Sequence, residues 1–376
     1  MRRFDTVIVG GGPSGSVAAT NLARAGLNVA LVDGSHPREK PCGGGLTGRA
    51  LELIASATPG GLSIDTVAFE STGKVARVAL PDASYLRVYS RAVLDSALLR
   101  DAQDAGADVI AARVTGFVRR GTTWTVRTPL GDLEAPWLLG ADGASGVVRK
   151  QVFRPFGRSQ ISIAAGSYVD DVVTREIAIA FMDRPQGYLW SFPRNGHLAV
   201  GTCAQADETT TDEMHRVTDA WLDRYAPARG RPRRRYAWPI PSLTASAIER
   251  EQPSGDGWML LGDAAGLVDP ITREGIFFAL RSGILAAEAL STSSPAATYG
   301  ERVRDELHDE LRRAARLKAG FYRPRFTRLL IDALEQSPAI REVMVDLVAG
   351  RQPYRGLKTR LLKTLEVGLV LGLLRV

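Results

Sequence analysis

The chain has 376 residues, 45% hydrophobic and 24% charged, and its 38 Gly and 20 Pro follow no repeating period. That excludes collagenous and low-complexity classes and predicts roughly two globular domains of ~150 residues each. The net charge of +7 is unevenly placed, because residues 311–376 carry 14 Lys and Arg against 5 Asp and Glu while the rest is nearly neutral. Nucleic acid is therefore not an expected partner, and the basic C-terminal segment needs its own account. Two cysteines, Cys42 and Cys203, exclude a disulfide framework and make a reducing cytoplasm the expected location. The start Met-Arg-Arg-Phe-Asp lacks the pattern of a secretory signal. No uncharged apolar stretch reaches the ~18 to 20 residues that cross a bilayer; Val367 to Leu374 comes nearest.

Phe4 to Val9 is an apolar run suited to a buried strand. Gly10-Gly11-Gly12-Pro13-Ser14-Gly15 follows, then Ala18, Ala19, Leu22 and Ala25 at helical spacing, Gly26 as a stop, and a second run from Asn28 to Val32 ending in Asp33. This is a βαβ unit opening with G-x-G-x-x-G, the pattern that places a pyrophosphate on a helix N-terminus. Gly10 permits the turn, Gly12 the close backbone approach, Gly15 the helix packing, and Asp33 can accept bonds from a ribose diol. Further on, Ile177, Ile179 and Phe181 alternate with Ala178 and Ala180, and Tyr188, Trp190 and Phe192 alternate with Leu189 and Ser191. After the Arg194-Asn195-Gly196 turn, His197 to Thr202 resumes the pattern, which predicts antiparallel sheet with aromatics on one face. Trp258 to Leu261 leads into Gly262-Asp263-Ala264-Ala265-Gly266 and a helix around Gly275 to Leu290. From Gly300 the pattern is helical, interrupted at Pro324, Pro338 and Pro353.

Three segments, the glycine loop, Gly140-Ala141-Asp142-Gly143 and Gly262-Asp263, together resemble the fingerprints of the flavoprotein hydroxylase fold. Within that fold the chain most resembles the geranylgeranyl reductase family. Tyr188-Leu189-Trp190-Ser191-Phe192-Pro193, seven residues, then Gly201 is similar to the family's YxWxFP-x7-GxG signature, with Cys203 at its second glycine. Arg38-Glu39-Lys40-Pro41-Cys42-Gly43-Gly44 resembles the family's loop over the flavin, and Arg91 with Asp95 its flavin-contacting arginine. Asp269 to Ile276 resembles the loop against the flavin ring, with Arg273 where many members have glycine.

The resemblance implies an α/β protein: a Rossmann-like FAD-binding domain, an antiparallel-sheet substrate domain and a helical C-terminal segment. The expected boundaries are 1–70, 87–160 and 255–300 for the FAD-binding part, 71–86 and 161–254 for the sheet, and 301–376 for the basic helices. FAD is the implied cofactor, held by Gly10, Gly12, Pro13, Ser14, Gly15, Asp33, Arg38, Cys42, Gly43, Arg91, Asp142, Gly143, Gly262, Asp263, Pro270, Arg273, Gly275 and Ile276. Tyr188, Trp190, Phe192, Gly201 and Cys203 are implied for substrate, and Cys42, Tyr188 and Trp190 for catalysis. The implied reaction is saturation of C=C bonds in an isoprenoid or similar lipophilic substrate, with electrons from NAD(P)H or a small redox protein.

Arg273 is expected either near the flavin pyrimidine edge, or turned to solvent or paired with Glu274 or Asp269. His36, His197, His215 and His308 have no metal-ligand spacing, so no metal is expected. Leucines and basic residues interleaved over 355–365 suggest a helix on an anionic membrane or a docked structural helix. Two readings compete with the reductase: an oxygen-using monooxygenase or halogenase of the same fold, and a non-catalytic basic binding module.

Overall fold

The computed structural model describes residues 1–54, 60–364 and 366. In chain order its principal elements begin with β1 (Thr6–Val9), α1 (Pro13–Arg24), β2 (Val29–Val32), β3 (Thr66–Ser71), β4 (Lys74–Ala79) and α2 (Arg91–Asp104). Next come β5 (Asp108–Ile110), β6 (Trp137–Gly140), α3 (Val147–Val152), β7 (Ile161–Asp170), β8 (Glu176–Met182), β9 (Gly187–Arg194), β10 (His197–Gln205) and α4 (Thr211–Arg224). The last are β11 (Arg233–Pro241), β12 (Trp258–Leu260), α5 (Ile276–Leu290), α6 (Asp309–Phe321), α7 (Pro324–Gln336), α8 (Pro338–Val348) and α9 (Leu357–Leu362).

The first sheet runs β12-β6-β1-β2-β5, all parallel, with Ser254–Gly255 antiparallel at its edge. Every residue of β1 and β2 is buried, as expected for strands covered on both faces, and this is why they read as uninterrupted apolar runs. Pro13 occupies the first turn of α1, where its missing N–H costs nothing, and Gly26 follows the helix with φ +87°.

The second sheet runs β11-β7-β10-β9-β8-β3-β4. Its pairings are antiparallel except for β3 beside β8, which is parallel with Val67 opposite Ile177. The expected antiparallel sheet thus contains one parallel junction. Residues 66–70, expected in the FAD-binding part, also lie in this sheet, because β3 and β4 enter it as a hairpin through Thr72 and Gly73. Its two faces differ. Leu189, Leu198 and Val200 point to α4 and its Trp221, while Tyr188, Trp190, Ala199 and Cys203 point to the opposite side.

The C-terminal helices close that opposite side. Pro324 and Pro338 start α7 and α8, so the prolines separate helices as expected. Leu330, Ile331 and Leu334 of α7, with Ile340 and Met344 of α8, pack onto Val67, Phe69, Val78 and Ile177. At about 1.5–3 kcal/mol for each fully buried large aliphatic side chain, this contact firmly docks the two helices. The basic segment through residue 348 is therefore structural. In α9, Leu361 joins the same cluster and Arg360 pairs with Asp346 at 2.6 Å, while Arg355, Lys358, Leu362 and Lys363 are exposed. Val367 to Leu374 lies outside the described residues. Among those described, no helix is long and apolar enough to cross a membrane.

Candidate functional site

The glycine loop after β1 is shaped by the strand beside it. A Cβ at Gly10 would lie 2.4 Å from the Ala141 carbonyl oxygen, and one at Gly15 only 1.9 Å from the Gly10 carbonyl oxygen, so both glycines are needed to close the turn. Gly12 differs: a Cβ there would meet no protein atom nearer than His36 Nε2 at 3.9 Å. Gly12 caps α1 with no side-chain bond to the first-turn amides, which leaves those donors for a ligand. This cradle fits a dinucleotide pyrophosphate. Ser14 is buried at the same turn, its Oγ facing Gly262.

Asp33 is tied into the chain itself. Its Oδ2 accepts from Gly11 N at 2.7 Å and sits 2.8 Å from His36 Nδ1, while Oδ1 accepts from the Ser35 and His36 amides. Burial opposes its charge, but these bonds, led by His36, hold the carboxyl below its ordinary range. His36 Nε2 lies 3.4 Å from Asp95 Oδ2, and Asp95 holds Arg91 through two bonds of 3.1 and 3.0 Å. Arg91 and Asp95 are both buried, and Arg91 lies beside Cys42. Asp33, His36, Asp95, Arg91 and Cys42 thus form one continuous chain of polar contacts. Sequence reasoning passed over His36, whose role depends on two acids 62 positions apart in the chain.

The Arg38 to Gly44 loop is clamped from below. Glu39 accepts from Ser90 Oγ at 2.5 Å and from the Arg91 amide at 3.1 Å, and Arg194, at the end of β9, donates to Glu39 and to the Cys42 carbonyl. Gly43 and Gly45 lie flat against the Phe192 ring. Arg38 stacks 4.8 Å above the Trp238 ring, and Lys40 approaches both that ring at 5.7 Å and Asp263 Oδ2 at 3.7 Å. The Gly44 amide donates to Cys42 Sγ at 3.3 Å.

Asp142 ties down the turn after β6 through one carboxylate oxygen, while its Oδ1 is buried and makes no hydrogen bond. Its Oδ2 accepts from the Val148 amide at 3.0 Å, capping α3, and burial raises its pKa. A Cβ at 146 would lie 2.1 Å from Asp142 Oδ1, so Gly146 is required by this cap. Gly143 makes the turn at φ +82°. The pair thus shapes the site through the backbone.

These elements enclose one cavity of about 290 Å³. Pro13, Lys40, Cys42, Gly43, Arg91, Asp263, Gly275 and Ile276 line one part, and Tyr188, Trp190, Phe192 and Cys203 another. Gly10, Asp33, Asp142 and Gly262 are not in its wall, and Gly201 stands behind Trp190. Phe69, Ile179, Phe181, Trp238, Ile240, Tyr322, Leu330 and Met344 are among the other wall residues and were not foreseen as part of the site. Trp238 and Ile240 carry the two-residue alternation of β11, a signal that could have found them; the helix residues required knowledge of docking.

Tyr188 holds the loop above it rather than offering its proton. Its hydroxyl donates to the Thr272 carbonyl at 2.6 Å, and burial raises its pKa well above the usual tyrosine value. Tyr322 likewise donates to the Ile271 carbonyl. The catalytic role implied for Tyr188 thus meets a hydroxyl already committed to backbone. In the same loop Pro270 is buried, and Asp269 Oδ1 accepts from the Ile271 and Thr272 amides at 2.7 and 2.9 Å. Arg273 adopts φ +60°, a left-handed conformation that costs a non-glycine residue about 1–2 kcal/mol. Its side chain, half-buried, makes no ion pair with Glu274 or Asp269; it lies beside Cys203, Tyr322 and Tyr188 in the cavity wall. Glu274 is engaged by Arg49 and by Thr47 Oγ1, the latter at 2.7 Å.

The family described as an FAD binding domain matches residues 3–319, and the chain belongs to that family. A menaquinone reductase of Mycobacterium tuberculosis is 29% identical over 375 residues, covering 92% of this chain and 90% of that protein. A digeranylgeranylglycerophospholipid reductase of Methanothrix thermoacetophila is 28% identical over 356 residues, covering 85% and 88%. The crystal structure of a geranylgeranyl bacteriochlorophyll reductase-like protein from Thermoplasma acidophilum superposes with a TM-score of 0.78 at 21% identity, covering 97% of this chain and all of that one. The glycine cradle and the family together define an FAD-dependent oxidoreductase with the α/β flavoprotein fold. Its family resemblance is to the geranylgeranyl reductases, as the aromatic-strand signature implied.

Proposed function

We propose that this protein saturates C=C bonds of an isoprenoid or similar lipophilic substrate. The glycine loop, Arg91, Asp263 and the 275–276 turn would hold FAD, which when bound and reduced would supply the hydride. The observation that carries the reading is the single cavity in which residues of the nucleotide side, Pro13, Cys42, Arg91 and Asp263, share a wall with Phe181, Tyr188, Trp190, Phe192 and Leu330. The aromatic and aliphatic side chains exclude water and orient a hydrocarbon. Cys42, beside Arg91, holds a proton for the second alkene carbon. NAD(P)H or a small redox protein supplies the electrons, and exposed Arg355, Lys358 and Lys363 contact an anionic membrane that presents the substrate.

The test is anaerobic: dithionite-reduced protein is incubated with geranylgeranyl diphosphate or a menaquinone, and products are read by mass. A gain of two hydrogens per reduced bond is expected. Turnover that requires oxygen, or an oxygenated product, overturns the reading in favour of oxygen-using chemistry. Deletion of residues 355–376 is expected to abolish liposome binding, and retained binding removes the membrane contact.

A further inference from the structure

The floor of the cavity follows from the strand order. On the inner face of the second sheet, Cys203 of β10 pairs in register with Tyr188 of β9, Tyr188 with Phe181 of β8, and Ile179 of β8 with Phe69 of β3. With strands ~4.8 Å apart, these side chains make one row across the floor. One end of the row faces the flavin side: Tyr188 and Tyr322 hold the 269–276 loop through the Thr272 and Ile271 carbonyls, and Phe192 lies against Gly43 and Gly45. The other end is aliphatic, with Val67 and Ile177 on the sheet and Leu330, Met344 and Val348 on the docked helices. Phe181 stands between the two ends. Its ring stacks on Phe69 with centroids 6.5 Å apart and meets Phe321 of α6 edge to face at 5.8 Å, both within aromatic contact. Phe181 rises from the sheet and Phe321 descends from a helix, so the pair crosses the cavity from floor to roof. Both rings are partly buried, both line the cavity, and both pack against the aromatic cluster at one end and the aliphatic cluster at the other. Phe321 is wedged between Tyr322 and Phe326 at 5.3 and 5.2 Å, which fixes the upper half of the crossing.

We infer that Phe181, against Phe321, sets how far a hydrocarbon chain passes from the flavin end of the cavity into the aliphatic end, and therefore which C=C bond of a polyunsaturated chain stands at the flavin. The inference rests on the reductase reading and adds to it a specificity-determining residue that selects by length. The volume of one or two methylenes at the crossing decides where the chain stops, and each methylene buried or excluded changes affinity several-fold.

The experiment is displacement of the neutral fluorescent dye N-phenyl-1-naphthylamine from the FAD-loaded protein by straight-chain alcohols from hexanol to tetradecanol, a series in which only chain length varies. Wild type is expected to gain about threefold to fourfold in affinity per added methylene up to a limiting length, where the gain stops. Phe181→Trp, which narrows the crossing, is expected to lower that limit by about two carbons or more while hexanol affinity stays within about twofold. Phe181→Leu, which widens it, should raise the limit by about one carbon. The two variants move the limit in opposite directions, which a folding defect in either would not do. In anaerobic turnover of geranylgeraniol, the position of the saturated bond, read from fragment masses, should shift in Phe181→Trp. A limit that is the same in all three proteins, or a loss in Phe181→Trp that is equal at every length, overturns the inference and leaves the lipophilic cavity standing. A shifted limit in protein that reduces no C=C bond keeps the length selection and removes the reductase reading. If no alcohol displaces the dye from wild type, both fall.

Discussion

Trp190 on β9 pairs in register with Gly201 on β10, and a Cβ at 201 would lie 2.5 Å from the Trp190 ring and 2.8 Å from the Tyr236 hydroxyl. The fixed spacing of the aromatic signature is thus a steric rule, because the hairpin turn at Asn195-Gly196 sets which residue faces the indole. Gly201→Ala should displace the ring and destabilise the protein by about 1–3 kcal/mol, the usual cost of overpacking. Chemical denaturation of the variant checks this, and a midpoint equal to wild type would show that the ring has room to move.

The two glycines of the cradle should fail differently. Gly15→Ala collides with the Gly10 carbonyl oxygen and is expected to unfold the turn and lower stability. Gly12→Ala meets no protein atom within 3.8 Å, so the cofactor-free protein should melt like wild type while its affinity for FAD falls at least tenfold or so. Flavin absorbance of the purified variant and a melt of the stripped protein separate the two effects.

Removing the partner of a buried arginine should be worse than removing both. Asp95→Asn leaves the Arg91 guanidinium buried without its counter-charge, which typically costs about 3–5 kcal/mol. The double variant Arg91→Leu/Asp95→Leu should lose less stability than the single one. Urea unfolding of cofactor-free protein reads the difference; additive losses would mean the pair is not coupled.

His308 supplies a pH signature. It is buried beside Arg312 and Arg304, and burial first, then those charges, bring its pKa down to about 4. In the unfolded chain it titrates near 6.5, so between these values the unfolded state binds the extra proton. Stability from this residue is full above the unfolded value, falls as pH drops from about 7 toward 4, and levels off below. The loss is at most about 3 kcal/mol. His308→Gln should remove that component, and denaturation midpoints at pH 7.5 and 5 would differ less in the variant than in wild type.

Cys42→Ala tests the proposed proton source. Turnover per bound FAD is expected to drop by about 10²-fold, the lower range for a positioned acid. Wild-type turnover in the anaerobic, dithionite-reduced assay would assign Cys42 to packing alone.

Several of these features follow from neighbours in the chain. The βαβ unit, its glycine pattern and the two-residue alternation of β9 are local, because a tight turn, a helix start and a strand face each depend on a few adjacent residues. The Trp190–Gly201 pairing is nearly local, through one short hairpin. Tertiary structure alone decided the rest. His36 lies between Asp33 and Asp95 only once α2 packs against α1. The helices α7 and α8 have charged residues of both signs on one side and apolar ones on the other, a pattern that says only that one face will be covered, and the sheet beneath them covers it by offering Val67, Phe69 and Ile177. Arg273 likewise had three available directions, and the backbone angle of its loop sent it into the cavity. An amphipathic face specifies that it will be covered, whereas the covering surface is a long-range contact that no local period encodes.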